Sequence, residues 1–150
     1  MRTGRGRRTA ALVLSALLLA GCDRSAPLAT EPPGPASATT SDGRLASAFE
    51  RREHGVQVRG RGTVERLLAD DHDGSRHQRF ILRLDSGQTL LVAHNIDLAP
   101  RVASLEAGDS VEFFGDYEWN ERGGVIHWTH HAPDGRHVGG WLRHEGRTYE

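Results

Sequence analysis

Apolar and polar residues alternate with a period of two through most of the chain beyond residue 55, the pattern of strands with one buried face. In VQVRGRGTVERLL, Val56, Val58 and Val64 share a parity with Gly60 and Gly62, opposite Gln57, Arg59, Arg61 and Glu65. Two glycines on an inward face predict a bend or bulge that lets one strand serve two sheets. RHQRFILRL is the second strand, with Phe80, Leu82 and Leu84 in alternation, and Ser86-Gly87 turns the chain into a third, QTLLVAHN. SVEFFGDYEW is the fourth, setting Val111, Phe113, Tyr117 and Trp119 against Glu112, Asp116 and Glu118. A turn at Glu121 to Gly124 gives the fifth, VIHWTHH, with later turns at Pro133 to Gly135 and at Gly146.

The period changes in two places. After Ser41 and Asp42, Leu45, Ala48 and Phe49 fall on one face of a short amphipathic helix ending by Gly55. Between strands three and four, Asp97 is a cap, Pro100 suits a first turn, and Val102 and Leu105 follow at helical spacing. Three strands, a short helix and two strands is the order of an OB-fold. The expected fold class is therefore mainly β: a small five-stranded OB-like β-barrel with one short helix between strands three and four.

The first residues change the picture of where this barrel works. Arg2, Arg5, Arg7 and Arg8 precede an apolar stretch from Ala10 to Ala20, the layout of a secretory signal too short to span a bilayer. Leu19-Ala20-Gly21-Cys22 resembles the bacterial lipobox, whose cysteine becomes the lipidated first residue of the mature protein. Cys22 is the only cysteine, so no internal disulfide competes for it. From Asp23 to about Gly43 the chain is rich in Pro, Ala, Ser and Thr without apolar periodicity, as in a flexible tether. The expected organisation is a lipoprotein signal peptide over residues 1–21, lipidated Cys22 and a flexible linker over 22–43, and the barrel over 44–150. Acyl chains on Cys22 make the membrane a partner, with the domain facing the periplasm or the cell exterior.

The full chain carries 19 basic and 20 acidic residues, every basic one an arginine. Removing residues 1–21 takes four arginines and no acid, which leaves the mature form at fifteen against twenty and clearly acidic. Nucleic-acid binding depends on neutralising phosphates, so an acidic exported domain speaks against it.

The segments GRGTVERLLADD, RHQRFIL, GQTLLVAHNIDLAPR, GDSVEFFGDYEWN, GGVIHWTH and GGW carry a family resemblance. From Gly55 to Tyr149 the chain resembles an uncharacterised family of bacterial lipoproteins and exported proteins, domain-of-unknown-function family 3465. The resemblance brings no activity with it.

All nine histidines lie at or after residue 54, five of them between Gly123 and Tyr149. If VIHWTHH is one continuous strand, Ile126 and Trp128 point inward and His127 and His131 stand outside, about 7 Å apart at Cα. That spacing suits a transition metal with His94 or His137 as a third ligand, although no HExxH is present and no cysteine is to hand. The alternative is a set of hydrogen-bonded histidines on a polar face. His77, Arg79, His94, Asn95 and Asp97 form a second polar group if strands two and three are neighbours. Asp70, Asp71, Asp73 and Gly74 resemble part of a calcium loop, but its closing glutamate is missing and position twelve is Leu82, so a solvated acidic turn is expected. Trp119, at a strand end beside Asn120, is the ring expected to stack on a ligand. Ser75, Ser86, Ser104 and Ser110 lie in no nucleophile motif.

Three classes follow from these patterns. The first is a non-enzymatic, membrane-anchored domain that binds a ligand or envelope partner on the face of strands two, three and five through His94, Asn95, Trp119, His127, His130 and His131. The second is a metal-binding protein or metal-dependent hydrolase using the histidines, with a transition metal as cofactor. The third is a purely structural envelope domain.

Overall fold

The computed structural model describes residues 35–150, with side chains from residue 41; the expected signal peptide over residues 1–21, Cys22 and the rest of the expected linker up to residue 34 lie outside the described residues. Helix α1 spans Pro35–Glu50 and is followed by β1 (His54–Leu67), β2 (His77–Arg83), β3 (Thr89–Asn95), β4 (Ser110–Glu118), β5 (Val125–His127), β6 (Trp141–His144) and β7 (Arg147–Tyr149). The strands hydrogen-bond in the order β1-β2-β3-β5-β4, and β4 returns to β1. That closure makes a five-stranded barrel, mainly β, as the alternation of the chain predicts. β3 and β5 are its parallel pair, Leu91 beside Val125 and Val92 beside Ile126.

One long strand closes the barrel. The first part of β1 pairs with β4, from His54 opposite Glu118 to Thr63 opposite Ser110, and its last part pairs with β2. The register slips between Val64 and Arg66, and this bulge turns the strand from one neighbour to the other. Gly60 serves packing here: a Cβ at that position would lie 2.5 Å from the tip of the Phe113 ring, which fills the space. Inside, Val58, Val64, Phe80, Leu82, Leu90, Val92, Val111, Phe113, Tyr117 and Ile126 form one buried cluster.

Helix α1 closes one side of that core. Leu45 and Ala48 are fully buried, Phe49 stacks on Trp119 with centroids 6.4 Å apart, and Asp42 accepts the Ser86 N–H at 2.8 Å. The helix begins at Pro35, inside the stretch whose composition suggests a linker, because Asp42, Leu45 and Ala48 give its second half fixed partners. It ends before Gly55. Arg52 takes a left-handed φ of 54°, and the Arg52 and Glu53 N–H groups bond back to the Phe49 and Ala48 carbonyls.

The connection from β3 to β4 differs from the expected short helix. It holds a single helical turn, closed by the Ala99 N–H on the Asn95 carbonyl at 3.1 Å, and then proceeds through turns. Pro100 supplies no N–H to continue the ladder. Side chains hold the segment instead: Gln78 grips both backbone groups of Val102, accepting its N–H at 2.9 Å and donating to its carbonyl at 3.1 Å.

The fifth strand is also split. Asp116 of β4 faces His127, while Phe114, two residues earlier, faces Trp141. β5 and β6 thus lie along the same strand, interrupted by an insert of residues 128–140. β7 adds a hairpin onto β6.

Candidate functional site

The insert leaves the sheet at Trp128, which has φ 52°. A bulky aromatic residue in the left-handed region is uncommon and carries backbone strain. The reversal breaks the alternation assumed for VIHWTHH, so Ile126 is buried as expected, but Trp128 is 37 % exposed while Thr129 and His130, on opposite parities, are both buried. His127 and His131 therefore do not form the paired outer face that continuous strand geometry implies. His131 is exposed within the insert.

The neck of the insert is tightly built. The Gly140 N–H bonds to the His130 carbonyl at 2.8 Å and brings the two arms together. A Cβ on Gly140 would overlap the Trp128 and Phe114 carbonyl oxygens, and one on Gly115, across in β4, would sit 2.5 Å from the His127 carbonyl oxygen. The distal part turns at Asp134-Gly135, where the Gly135 N–H reaches the Ala132 carbonyl and Asp134 accepts the Arg136 N–H at 3.1 Å.

Against this insert the outer surface of the sheet forms a pocket of about 80 Å³, lined by His77, Ala93, Asn95, His127, Trp128 and His130. The register explains the set. His77 of β2 faces Asn95 of β3, and the parallel β3–β5 pairing carries Ala93 alongside His127. Ala93 is the smallest of the six lining residues, which leaves room between the larger ones. Trp128 and His130 form the wall, with the His137 ring tilted at 52° against Trp128 at a centroid distance of 3.7 Å. The pocket thus lies on β2, β3 and β5.

Of the residues singled out from the sequence, Asn95, His127 and His130 line this pocket together with His77. Trp128, assigned by alternation to the core, is the ring at the site. Trp119 is elsewhere, between Phe49 of α1 and the Arg52 guanidinium, whose carbon is 5.0 Å from the ring centroid; it braces the helix. His94 is fully buried beneath the sheet, because its parity in β3 is that of Leu90 and Val92. Its Nε2 donates to the Pro100 carbonyl at 3.0 Å and its Nδ1 accepts from the Thr129 hydroxyl at 2.9 Å, so neither nitrogen is open to a ligand.

The remaining polar groups also have internal partners. Asp70 forms a forked pair with Arg101, at 2.9 to 3.1 Å. Asp71 accepts the Asp73 N–H and faces Arg79 at 3.6 Å, and Asp97 pairs with Arg76. The acidic turn is therefore bound up with arginines, in keeping with the absence of a closing glutamate. Among the described residues no three His, Cys, Asp or Glu side chains converge on a position for a metal ion.

Burial drives the His94 pKa down from 6.5 to about 4, and it lowers that of His130 as well. Both rings are therefore neutral near pH 7. Asn95 accepts the Asp97 N–H with its amide oxygen at 2.9 Å, which leaves its NH2 group as a donor. The Nε2 of His127 is buried with no hydrogen-bond partner and lies 3.7 Å from a Glu118 carboxylate oxygen. The pocket therefore combines an amide donor, imidazole nitrogens and an indole face, with the Glu118 carboxylate behind His127.

A mainly β barrel bearing a pocket is the class these features define. The chain belongs to the protein family of unknown function DUF3465, whose model matches residues 33–150. No curated protein matches the chain.

Proposed function

We propose that this chain is a lipid-anchored protein of the bacterial envelope whose barrel binds a ligand or partner in the pocket beside the insert. The basic and apolar residues before Cys22 support the anchor. The acidic balance of the mature form supports an exported domain without a nucleic-acid role. Among the described residues no helix is long and apolar enough to cross a membrane, so attachment in this reading rests on the acyl chains.

The observation that carries the binding reading is Trp128, exposed at a strained φ of 52° and forming one wall of the pocket. Strain of this kind persists where the surrounding structure enforces it, and such residues cluster at ligand sites. A pocket of about 80 Å³ accepts the end of a larger molecule. Its mixture of an amide donor, imidazole nitrogens and an aromatic face suits a hydrogen-bonding group, such as vicinal sugar hydroxyls or a peptide amide, stacked on the indole.

The test uses the full-length chain in detergent, titrated separately with chitin oligosaccharides and with short uncharged peptides while amide and indole NMR signals are followed. One arm shifts the Trp128 indole together with Ala93 and Asn95, and Trp128→Gly abolishes the shift. Neither arm perturbing these signals sinks the reading. The anchor is tested by mass spectrometry of the cell-derived protein. Acylated Cys22 is expected, and an unmodified chain retaining residues 1–21 contradicts it.

A further inference from the structure

Two histidines of the insert present acceptor nitrogens to each other's surroundings, and their hydrogen bonds fix which nitrogens these are. A carbonyl oxygen can only accept, so the 2.6 Å contact from His130 Nδ1 to the His131 carbonyl places the ring proton on Nδ1. His137 repeats the arrangement, with Nδ1 donating to the Val138 carbonyl at 2.9 Å. In its neutral form each ring therefore carries its lone pair on Nε2. Metal-ligating histidines are held in the same way, through a second nitrogen that donates to a carbonyl or carboxylate.

The spacing fits as well. The two ring centroids are 5.8 Å apart and the planes are at 90°. With nitrogen-to-metal distances of about 2 Å, two imidazoles on one tetrahedral ion have centroids roughly 5 Å apart, and more as the angle opens. The His137 Nε2 atom is buried without a hydrogen-bond partner, an unmet acceptor that a bound cation satisfies.

We infer that His130 and His137 seat one borderline transition-metal ion, copper(II), nickel(II) or zinc(II), through their Nε2 atoms, so that the ion clasps the two arms of the insert. Nitrogen ligands of this type favour these ions over magnesium and calcium. With no third His, Cys, Asp or Glu among the described residues converging on the position, the ion keeps open positions for water or for a group in the pocket that His130 also lines. The inference stands apart from the organic-ligand reading, because metal binding is measured without such a ligand.

The experiment titrates the full-length chain, free of any polyhistidine tag, with copper, nickel and zinc chlorides, with magnesium chloride as the control. Calorimetry gives stoichiometry and affinity, and electron paramagnetic resonance of the copper form counts bound nitrogens. One equivalent and two imidazole nitrogens are expected. His137→Gln removes one nitrogen and weakens binding about tenfold or more, His130→Gln does the same, and His131→Gln, next door and exposed, changes neither. Copper also broadens imidazole NMR signals in the unsubstituted protein, which needs no variant to fold; His130 and His137 must disappear first. No stoichiometric binding of any of the three ions, a nitrogen count unchanged by His137→Gln, or broadening centred on His54, His72 or His131 overturns the inference.

Discussion

The Nδ1 atom of His94 lies 2.9 Å from the Thr129 hydroxyl oxygen, a buried contact that fastens β3 to the base of the insert. On its other side the same ring donates to the Pro100 carbonyl. A neutral imidazole satisfies both, one nitrogen accepting and the other donating, and so ties three segments together without a buried charge.

That ring makes stability depend on pH. Its folded-state pKa is depressed to about 4 from 6.5, with burial the largest cause. The unfolded chain therefore binds the proton first, and stability is complete above pH 6.5 and falls as pH drops towards 4. The loss from His94 alone approaches about 3 kcal/mol at the lower end, and the lowered pKa of His130 acts in the same direction. Urea unfolding between pH 7.5 and 4 measures the slope, and His94→Gln should flatten it. A slope unchanged by His94→Gln would assign the effect to other groups.

Gln78 is a second buried tie, holding both the N–H and the carbonyl of Val102. Gln78→Leu preserves much of the volume but orphans both backbone groups, at a cost of about 1–3 kcal/mol for each buried group left unpaired. Chemical denaturation should show the loss, and amide exchange should show early opening of residues 96–109.

Two glycines should respond with opposite signs. Gly140→Ala forces a Cβ onto two backbone carbonyls that have no rotamer by which to retreat, and should cost about 3 kcal/mol. Gly43→Ala, within α1 and with nothing within 4 Å of the new methyl, should add about 0.5–1 kcal/mol through helix propensity. Denaturant midpoints of the two variants test this together. Equal effects would mean the neck is looser than described.

The strands were legible because each buries one face, so apolar residues recur at every second position: Phe80, Leu82 and Leu90, Val92 are all in the core. That one bent strand closes the barrel was anticipated, but its bulge lies between Val64 and Arg66, whereas Gly60 and Gly62 make room for the Phe113 ring and the Arg83 carbonyl. The pocket's face was legible, but only part of its lining. His94 shares β3 with Asn95 and points the opposite way, and parity alone reveals this once the buried face is known. Trp128 was not legible, because VIHWTHH has the β-branched and aromatic composition of a strand. A single left-handed residue ends that strand, and an excursion starting there costs the flanking β4 pairing nothing. The start of α1 was hidden too, since PASATTSDG has little helical pattern of its own and the helix is held by Asp42, Leu45 and Ala48 further on.

Trp128 itself should separate function from stability. Trp128→Gly relieves a left-handed φ worth about 1–2 kcal/mol while losing tilted ring contacts with His127, His130 and His137. The two effects oppose, and the melting temperature should shift by no more than the equivalent of about 1 kcal/mol. A large fall in stability would make the indole a structural element of the insert.

The central claim is that the insert and strands β2, β3 and β5 form a binding pocket. The most direct measurement is the NMR titration of the full-length chain with chitin oligosaccharides and uncharged peptides, read at the Ala93 and Asn95 amides and the Trp128 indole. Saturable shifts at these three positions, with those of the Ala93 and Asn95 amides lost in Trp128→Gly, are the predicted result. Silence at all three in both titrations, or shifts that persist in Trp128→Gly, would contradict it.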